Sequence, residues 1–153
     1  MGKMDIRGFA MKQIATVGGI GFFPFASGTV GTVPAALLVW LVPMPAALYL
    51  AVTVIVTIVG TFASTEVEAV VGRKDPGCIV VDEFAGYMVA MAFLPPTLGY
   101  VTAAFFIFRF FDVVKPPPIN SLQRFRGGLG VMLDDLAAGL ATNIVLQIWM
   151  RLG

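Results

Sequence analysis

Polar positions are scarce along this chain, and their spacing marks out its elements. Positions 13–65 carry no charged residue, and two further charge-free runs cover 84–108 and 136–150. A helix that spans a bilayer needs roughly 20 consecutive apolar residues, so these runs have room for several spans. Prolines divide them. Pro43-Met44-Pro45 splits the first run and Leu94-Pro95-Pro96-Thr97 the second. Proline has no amide hydrogen and disfavours helix in the residue before it, so each cluster predicts a tight turn. The pattern predicts helices over 28–42, 46–63, 79–94, 97–114 and 131–151. The expected fold is all-α: a single domain over 1–153, a polytopic membrane bundle of about five helices built as two hairpins plus a C-terminal helix. A 15-residue helix is only about 22 Å long against a hydrocarbon core of roughly 30 Å. The first hairpin is therefore expected to be partly re-entrant, or extended by an interfacial N-terminal segment over 18–25. Met1–Lys12 is charged throughout and has no apolar h-region, so no signal peptide is expected there.

The charges sort onto one side of this arrangement. Lys3, Arg7 and Lys12 precede the first hairpin, the charges from Glu66 to Glu83 lie between the hairpins, and those from Arg109 to Asp135 precede the last helix. The two proline turns carry none. If each hairpin crosses and returns, every charge except Arg151 shares one membrane face. Lys/Arg-bearing short loops favour the cytoplasm, so the charged face is expected to be the cytoplasmic one.

Composition agrees and excludes much else. Charged residues make up 12% of the chain and hydrophobic ones 58%; a soluble domain is usually about a quarter charged. Disorder is excluded by the same apolarity. Net charge +1, with no basic stripe, excludes a nucleic-acid partner. A lone Cys78 rules out an internal disulfide framework and a multi-cysteine zinc site. The absence of histidine removes Ser-His-Asp triads, histidine nucleophiles and His-bound metals.

Ionisable residues at membrane helices are expensive and mark functional sites. Five carboxylates qualify: Asp82 and Glu83 opening the third helix, Asp112 near the end of the fourth, and Asp134 and Asp135 opening the fifth. Small residues follow at i+4 (Gly86, Ala138, Gly139), a spacing that lets helices approach closely. Asp135, Gly139, Asn143 and Gln147 form a polar seam that must face protein rather than lipid. Carboxylates gathered at one end of the bundle repel unless protonated or neutralised by a cation. A set of oxygen ligands without His or Cys suits a hard ion, Mg²⁺ above all.

Cations stand nearby. Arg109, Asp112 and Lys115 lie along one side of the fourth helix at i, i+3 and i+6. Arg109, inside the run Phe105-Phe106-Ile107-Phe108-Arg109-Phe110-Phe111, is expected to pair with Asp112 or with a ligand anion. Arg124 and Arg126 fit equally well among lipid headgroups. Ser27-Gly28-Thr29-Val30-Gly31-Thr32 opens the first helix, where free N–H groups, the dipole and the Thr29 hydroxyl suit a phosphate.

Carboxylates for a metal beside cations for an anion, in a membrane, suggest phosphoryl chemistry on a lipid. Cys78 has no Arg six positions on, no Asp-x-Asp-x-Thr occurs, and histidine phosphatases are impossible. Metal-assisted hydrolysis remains.

Four blocks then carry a family resemblance. They are Gly28-Thr29-Val30-Gly31-Thr32; Asp75-Pro76-Gly77 with Val81-Asp82-Glu83; Phe108-Arg109-Phe110-Phe111-Asp112-Val113-Val114-Lys115-Pro116-Pro117-Pro118-Ile119; and Gly127-Gly128-Leu129-Gly130-Val131-Met132-Leu133-Asp134-Asp135. In this order, from about residue 13 to the end, the chain resembles the phosphatidylglycerophosphatase A family. The resemblance implies a Mg²⁺-dependent phosphatase of the bacterial inner membrane that converts phosphatidylglycerol phosphate to phosphatidylglycerol in phospholipid biosynthesis. It points to Asp82, Glu83, Asp134 and Asp135 as metal and catalytic carboxylates, and to Thr29, Arg109, Asp112 and Lys115 around the phosphate. On this reading Mg²⁺ is held by Glu83, Asp134 and Asp135, and Asp82 or Asp112 accepts the proton. Ser27 stands where the family more often has Pro, and Thr32 where it often has Ser.

Two rival readings are weighed against it. A CDP-alcohol phosphotransferase needs Asp-Gly-x-x-Ala-Arg after its first acidic pair, which Asp135-Leu136-Ala137-Ala138-Gly139 does not supply. A non-enzymatic ion pathway or assembly subunit tolerates intramembrane carboxylates but releases no phosphate.

Overall fold

The computed structural model describes residues 6–152. Lys3, assigned above to the charged face, lies outside them. Among the described residues there are seven α-helices, one 3₁₀ turn and no strand. The helices are α1 (Ile6–Ala15), α2 (Ser27–Leu41), α3 (Ala46–Val71), α4 (Val81–Met91), α5 (Leu98–Val114), α6 (Ile119–Leu122) and α7 (Gly128–Leu152), with the 3₁₀ turn at Ile20–Phe22.

The proline clusters end helices as expected. α2 stops before Pro43 and α3 begins directly after Pro45, while α5 follows Pro95-Pro96 with Thr97 as its N-cap. α3 is longer than the apolar run suggested. It continues through Glu66 and Glu68 until Gly72, which caps the helix at φ 68° and whose backbone N–H donates a hydrogen bond to the Glu68 carbonyl. No breaker intervenes before that glycine, so both glutamates are helical rather than in a loop. The hydroxyls of Thr53, Thr57, Thr61 and Thr65 each donate to the carbonyl four residues earlier at 2.8 Å, which satisfies them within the helix.

The largest difference from expectation is α4. In place of a helix over 79–94 there are 11 residues, about 16 Å, too short to cross a bilayer. Two helices, α3 and α7, are long and apolar enough to do so. The 15-residue α2 and 17-residue α5 fall short of the usual length. α4 is instead a buried central rod, packed against α7, α2, α3 and α5. Its C-terminal carbonyls are taken by side chains of its neighbours. Asn143 Nδ2 donates to Ala90 O at 2.9 Å and Ala92 O at 2.8 Å. Gln147 Nε2 adds a 3.4 Å bond to Ala92 O, and Tyr49 OH donates to Met88 O at 2.6 Å. Non-helical backbone inside a bundle requires such partners, because no water supplies them there. The polar seam on α7 thus faces protein, as its spacing predicted.

Close approach of α4 and α7 depends on two glycines. A Cβ on Gly86 would lie 2.6 Å from the Asp135 carbonyl oxygen, and one on Gly139 would collide with the Gly86 carbonyl. The crossing therefore holds the first turn of α4 against the part of α7 that carries Asp134 and Asp135, which lies about two turns in from Gly128 and not at the helix opening as expected. A second set of contacts fixes the segment before α4: Val80 N donates to Ala15 O at 2.9 Å, and Gly21 leaves no room for a Cβ against the Cys78 carbonyl. α1 and the 3₁₀ turn in this way place the entry into α4.

Candidate active site

The first turn of α4, the last turns of α5 and the stretch of α7 around Asp134 and Asp135 meet in one region of the bundle. Asp82, Asp112, Asp134 and Asp135 are all buried there, at 2–7% exposure, and Glu83 is half-buried. Burying so many carboxylates without compensation would be prohibitive, so their partners define the site.

Asp82, Glu83 and Asp135 form one group, with an oxygen from each lying within 4.8 Å of the others. Asp82 Oδ1, Glu83 Oε2 and Asp135 Oδ2 are buried and have no hydrogen-bond partner among the described residues. Closely grouped carboxylates with buried, unpartnered oxygens are what a hard cation requires, and the all-oxygen donor set suits one. The residues therefore fit a metal ion. Asp134 stands outside this group. Its neighbour Asp135 faces the trio, and successive residues on a helix do not share a face. The Asp134 carboxylate instead takes an ion pair from Lys115 and a 2.9 Å hydrogen bond from Gln123 Nε2.

The cations lock the rest together. Arg109 Nη1 lies 2.5 Å from Asp112 Oδ2, an ion pair without hydrogen-bond alignment, and 3.7 Å from Glu83 Oε1. Arg109 Nε is buried and unpartnered among the described residues, so the guanidinium keeps donor capacity. Lys115 ends α5 in the left-handed region, at φ 45°, which turns its ammonium into the site. There it reaches Asp112 at 3.3 Å and Asp135 at 3.8 Å besides Asp134. Burial alone would lower the Lys115 pKa; the carboxylates of Asp135, Asp134 and Asp112 outweigh it and raise the value, so Lys115 stays protonated.

The N-terminus of α2 completes the wall. A Cβ on Gly28 would collide with Glu83 Oε1 and crowd both terminal nitrogens of Arg109, so only glycine lets this turn approach the pair. The first-turn amides of Ser27, Gly28 and Thr29 have no carbonyl within the helix to bond, and they carry the positive end of its dipole. Thr29 is half-buried on this turn, with its hydroxyl uncommitted among the described residues. Ser27 Oγ donates to Gly77 O at 2.7 Å and ties α2 to the loop before α4. Asp75 in that loop has φ 45°, and its amide donates to Glu68 Oε1 at 2.7 Å. Although the residue keeps an exposed surface, partial burial raises its carboxyl pKa; the nearby Asp134 charge adds to this and Lys115 opposes it.

A carboxylate group that could hold a cation, two basic side chains and the N-terminus of α2 stand together here, an arrangement compatible with a phosphate ester. The family model described as Phosphatidylglycerophosphatase A matches residues 13–150. The chain belongs to this family. Proteins named phosphatidylglycerophosphatase A from Haemophilus influenzae and Escherichia coli are 33% and 34% identical, over 86% and 84% of this chain and 85% and 76% of theirs. A Bacteroides thetaiotaomicron protein named "Putative phosphatidylinositol-3-phosphatase" is 38% identical, over 92% of this chain and 93% of its own. No solved structure matches.

The structure therefore brings Asp82, Glu83, Asp112, Asp134, Asp135, Arg109 and Lys115 into one connected network, with Thr29 on the adjoining turn. Sequence reasoning missed two members. Gln123 comes from the segment after the four-residue α6, and nothing in its spacing signals a bond to Asp134. Gly28 was read as part of a phosphate-binding turn, but its packing against Glu83 and Arg109 appears only in three dimensions.

Proposed function

We propose that this chain is a Mg²⁺-dependent phosphatidylglycerophosphatase, hydrolysing the terminal phosphate monoester of phosphatidylglycerol phosphate at the cytoplasmic face of a bacterial inner membrane. The observation that carries the reading is the trio of carboxylates with buried, unsatisfied oxygens beside Arg109 and Lys115, in an apolar helical bundle of the matching family. Phosphoryl transfer asks a protein mainly to position its reactants and stabilise charge, and these residues supply both.

Asp82, Glu83 and Asp135 would hold the ion. When bound, Mg²⁺ supplies charge neutralisation at the phosphate oxygens and acidifies water. The Arg109 guanidinium, the Lys115 ammonium, the Thr29 hydroxyl and the first-turn amides of α2 bind the remaining phosphate oxygens. Water attacks phosphorus, the bond from phosphorus to the glycerol oxygen breaks, and the leaving oxygen takes a proton from solvent. Asp82 is the member of the trio without a cationic partner among the described residues: Glu83 faces Arg109 and Asp135 faces Lys115. We therefore assign Asp82 as acceptor of the attacking water's proton. Asp112, clamped between Arg109 and Lys115, orients both cations. α5 packs against α7, and α2 against α4 and α5; the exposed Phe22, Phe23 and Phe25 sit at the membrane interface, and the acyl chains remain in the bilayer.

A second reading has one specific support, the Bacteroides relative's name, which makes a phosphoinositide a competing substrate. The experiment is phosphate release by purified protein in mixed micelles presenting phosphatidylglycerol phosphate, phosphatidylinositol 3-phosphate or phosphatidate at equal surface fraction. The proposal predicts the highest kcat/KM for the first. A preference for the inositide would transfer the assignment, and release from none would overturn it.

A further inference from the structure

Beside the proposed catalytic network lie two recesses that the reaction does not use. One, of about 280 Å³, is lined by Lys74, Asp75, Gln123, Gly130 and Val131. The other, of about 410 Å³, is bounded by Thr65, Glu68, Arg73, Lys74, Arg126 and Gly127. They adjoin at Lys74, which lines both. The first also reaches the site, since Gln123 is bonded to Asp134. Lys74 itself is occupied: its ammonium donates to the carbonyls of Gln123 and Phe125, which joins the loop before α4 to the segment before α7. Arg73 and Arg126 differ. They come from separate loops, are exposed, and make no ion pair or hydrogen bond among the described residues. The only acidic residue lining their recess is Glu68, and its Oε1 is engaged by the Asp75 amide.

We propose that Arg73 and Arg126 form a second anion site, which takes the phosphodiester of the substrate's own headgroup. The inference rests on the proposed function. Phosphatidylglycerol phosphate carries two phosphates joined by one glycerol: a terminal monoester that is hydrolysed and a diester that is kept. With the monoester on Arg109 and Lys115, the glycerol lies over the Asp75 and Gln123 recess. Its hydroxyl can donate to the Asp75 carboxylate, which accepts no hydrogen bond among the described residues. The diester then reaches the two arginines, whose planar donor forks suit phosphate oxygens. Phosphatidate has no second phosphate and gains nothing from this site, so the site selects the diphosphorylated headgroup.

The test is steady-state kinetics of the full chain in micelles of neutral detergent, comparing wild type with R73Q/R126Q and with R73K/R126K. The expected result for the glutamine pair is a KM for phosphatidylglycerol phosphate raised about tenfold or more, on the order of two lost charge-assisted contacts. kcat should be little changed, and inhibition by inorganic phosphate, which competes at the monoester site, should be unaltered. Inhibition by the product phosphatidylglycerol, which keeps only the diester, should weaken in parallel with KM. The lysine pair should recover part of the affinity. Unchanged KM in the glutamine pair overturns the proposal. So does equal weakening towards inorganic phosphate and phosphatidylglycerol, which would assign the arginines to the general field of an anionic surface. Wild-type protein that releases no phosphate from phosphatidylglycerol phosphate would defeat the proposed function instead.

Discussion

Substituting Gly86 by alanine tests whether the α4–α7 crossing sets the site. The added methyl would stand 2.6 Å from the Asp135 carbonyl oxygen and 2.8 Å from Phe108 Cε2, where ordinary contact begins at 3.4 Å. The backbones must separate by about 0.8 Å at this point, because a carbonyl cannot rotate aside as a side chain can. Overpacking of this kind costs about 1–3 kcal/mol, which a bundle this size can survive. The catalytic consequence is larger. Asp82 and Glu83 lie one turn before Gly86 on α4, and Asp135 belongs to the residue whose carbonyl is struck. The shift opens a carboxylate group whose oxygens span 4.8 Å. A misplacement of about 1 Å at a catalytic constellation costs on the order of a hundredfold. We expect Gly86→Ala to keep its helical circular dichroism and lose about a hundredfold in kcat, with partial recovery at high Mg²⁺. Wild-type kcat in a normally folded variant would refute the reasoning.

Further predictions concern stability and orientation. Asn143→Leu leaves the Ala90 and Ala92 carbonyls without their main donor and should destabilise the protein by about 1–2 kcal/mol, read from detergent unfolding; an unchanged midpoint would contradict the role given to the seam. Asp75→Asn suits the left-handed backbone and removes a carboxyl whose pKa burial and neighbouring charges raise. With the folded pKa above the unfolded one, the ionised form costs stability, and that cost appears as pH rises past the ordinary carboxylate range of about 3.9. The variant should therefore gain thermal stability over wild type at pH 8 relative to acid conditions, in chelator; an identical difference at both would be inconsistent. Cys78 is partly exposed in the loop before α4. An impermeant thiol reagent should label it in inverted vesicles and not in intact cells, and labelling from outside would reverse the proposed orientation.

How far the sequence carries the account can be argued from particular residues. The i+4 spacing of small residues after Asp82 and Asp135 anticipated the crossing, because that spacing has one steric meaning on a helix. The seam from Asp135 to Gln147 was legible as protein-facing for a similar reason, since polar groups cannot face lipid. Helix lengths were less legible. The run over 84–94 is free of charge, and nothing in it reveals that carbonyls near Ala92 are met by side chains from α7 some fifty residues later. The extension of α3 to Gly72 was hidden by treating charge as a sign of loop. The Asp134-Asp135 pair reads as one unit along the chain, but the helix turns the two apart, one to Lys115 and Gln123, the other to Asp82 and Glu83. Long-range partners such as Gln123 and the loop clamp of Lys74 leave no periodic trace.

The central claim is that a cation held by Asp82, Glu83 and Asp135 is needed to release phosphate from phosphatidylglycerol phosphate. Its most direct test is phosphate release by purified wild type and Asp135→Asn, after EDTA treatment and on titration with Mg²⁺. The account predicts no release in chelator and full recovery with Mg²⁺ for wild type. Asp135→Asn should remain at least about a hundredfold slower at saturating Mg²⁺, on the order expected for losing one charge-stabilising group. Metal-independent release, or near-normal turnover by the variant, would contradict it.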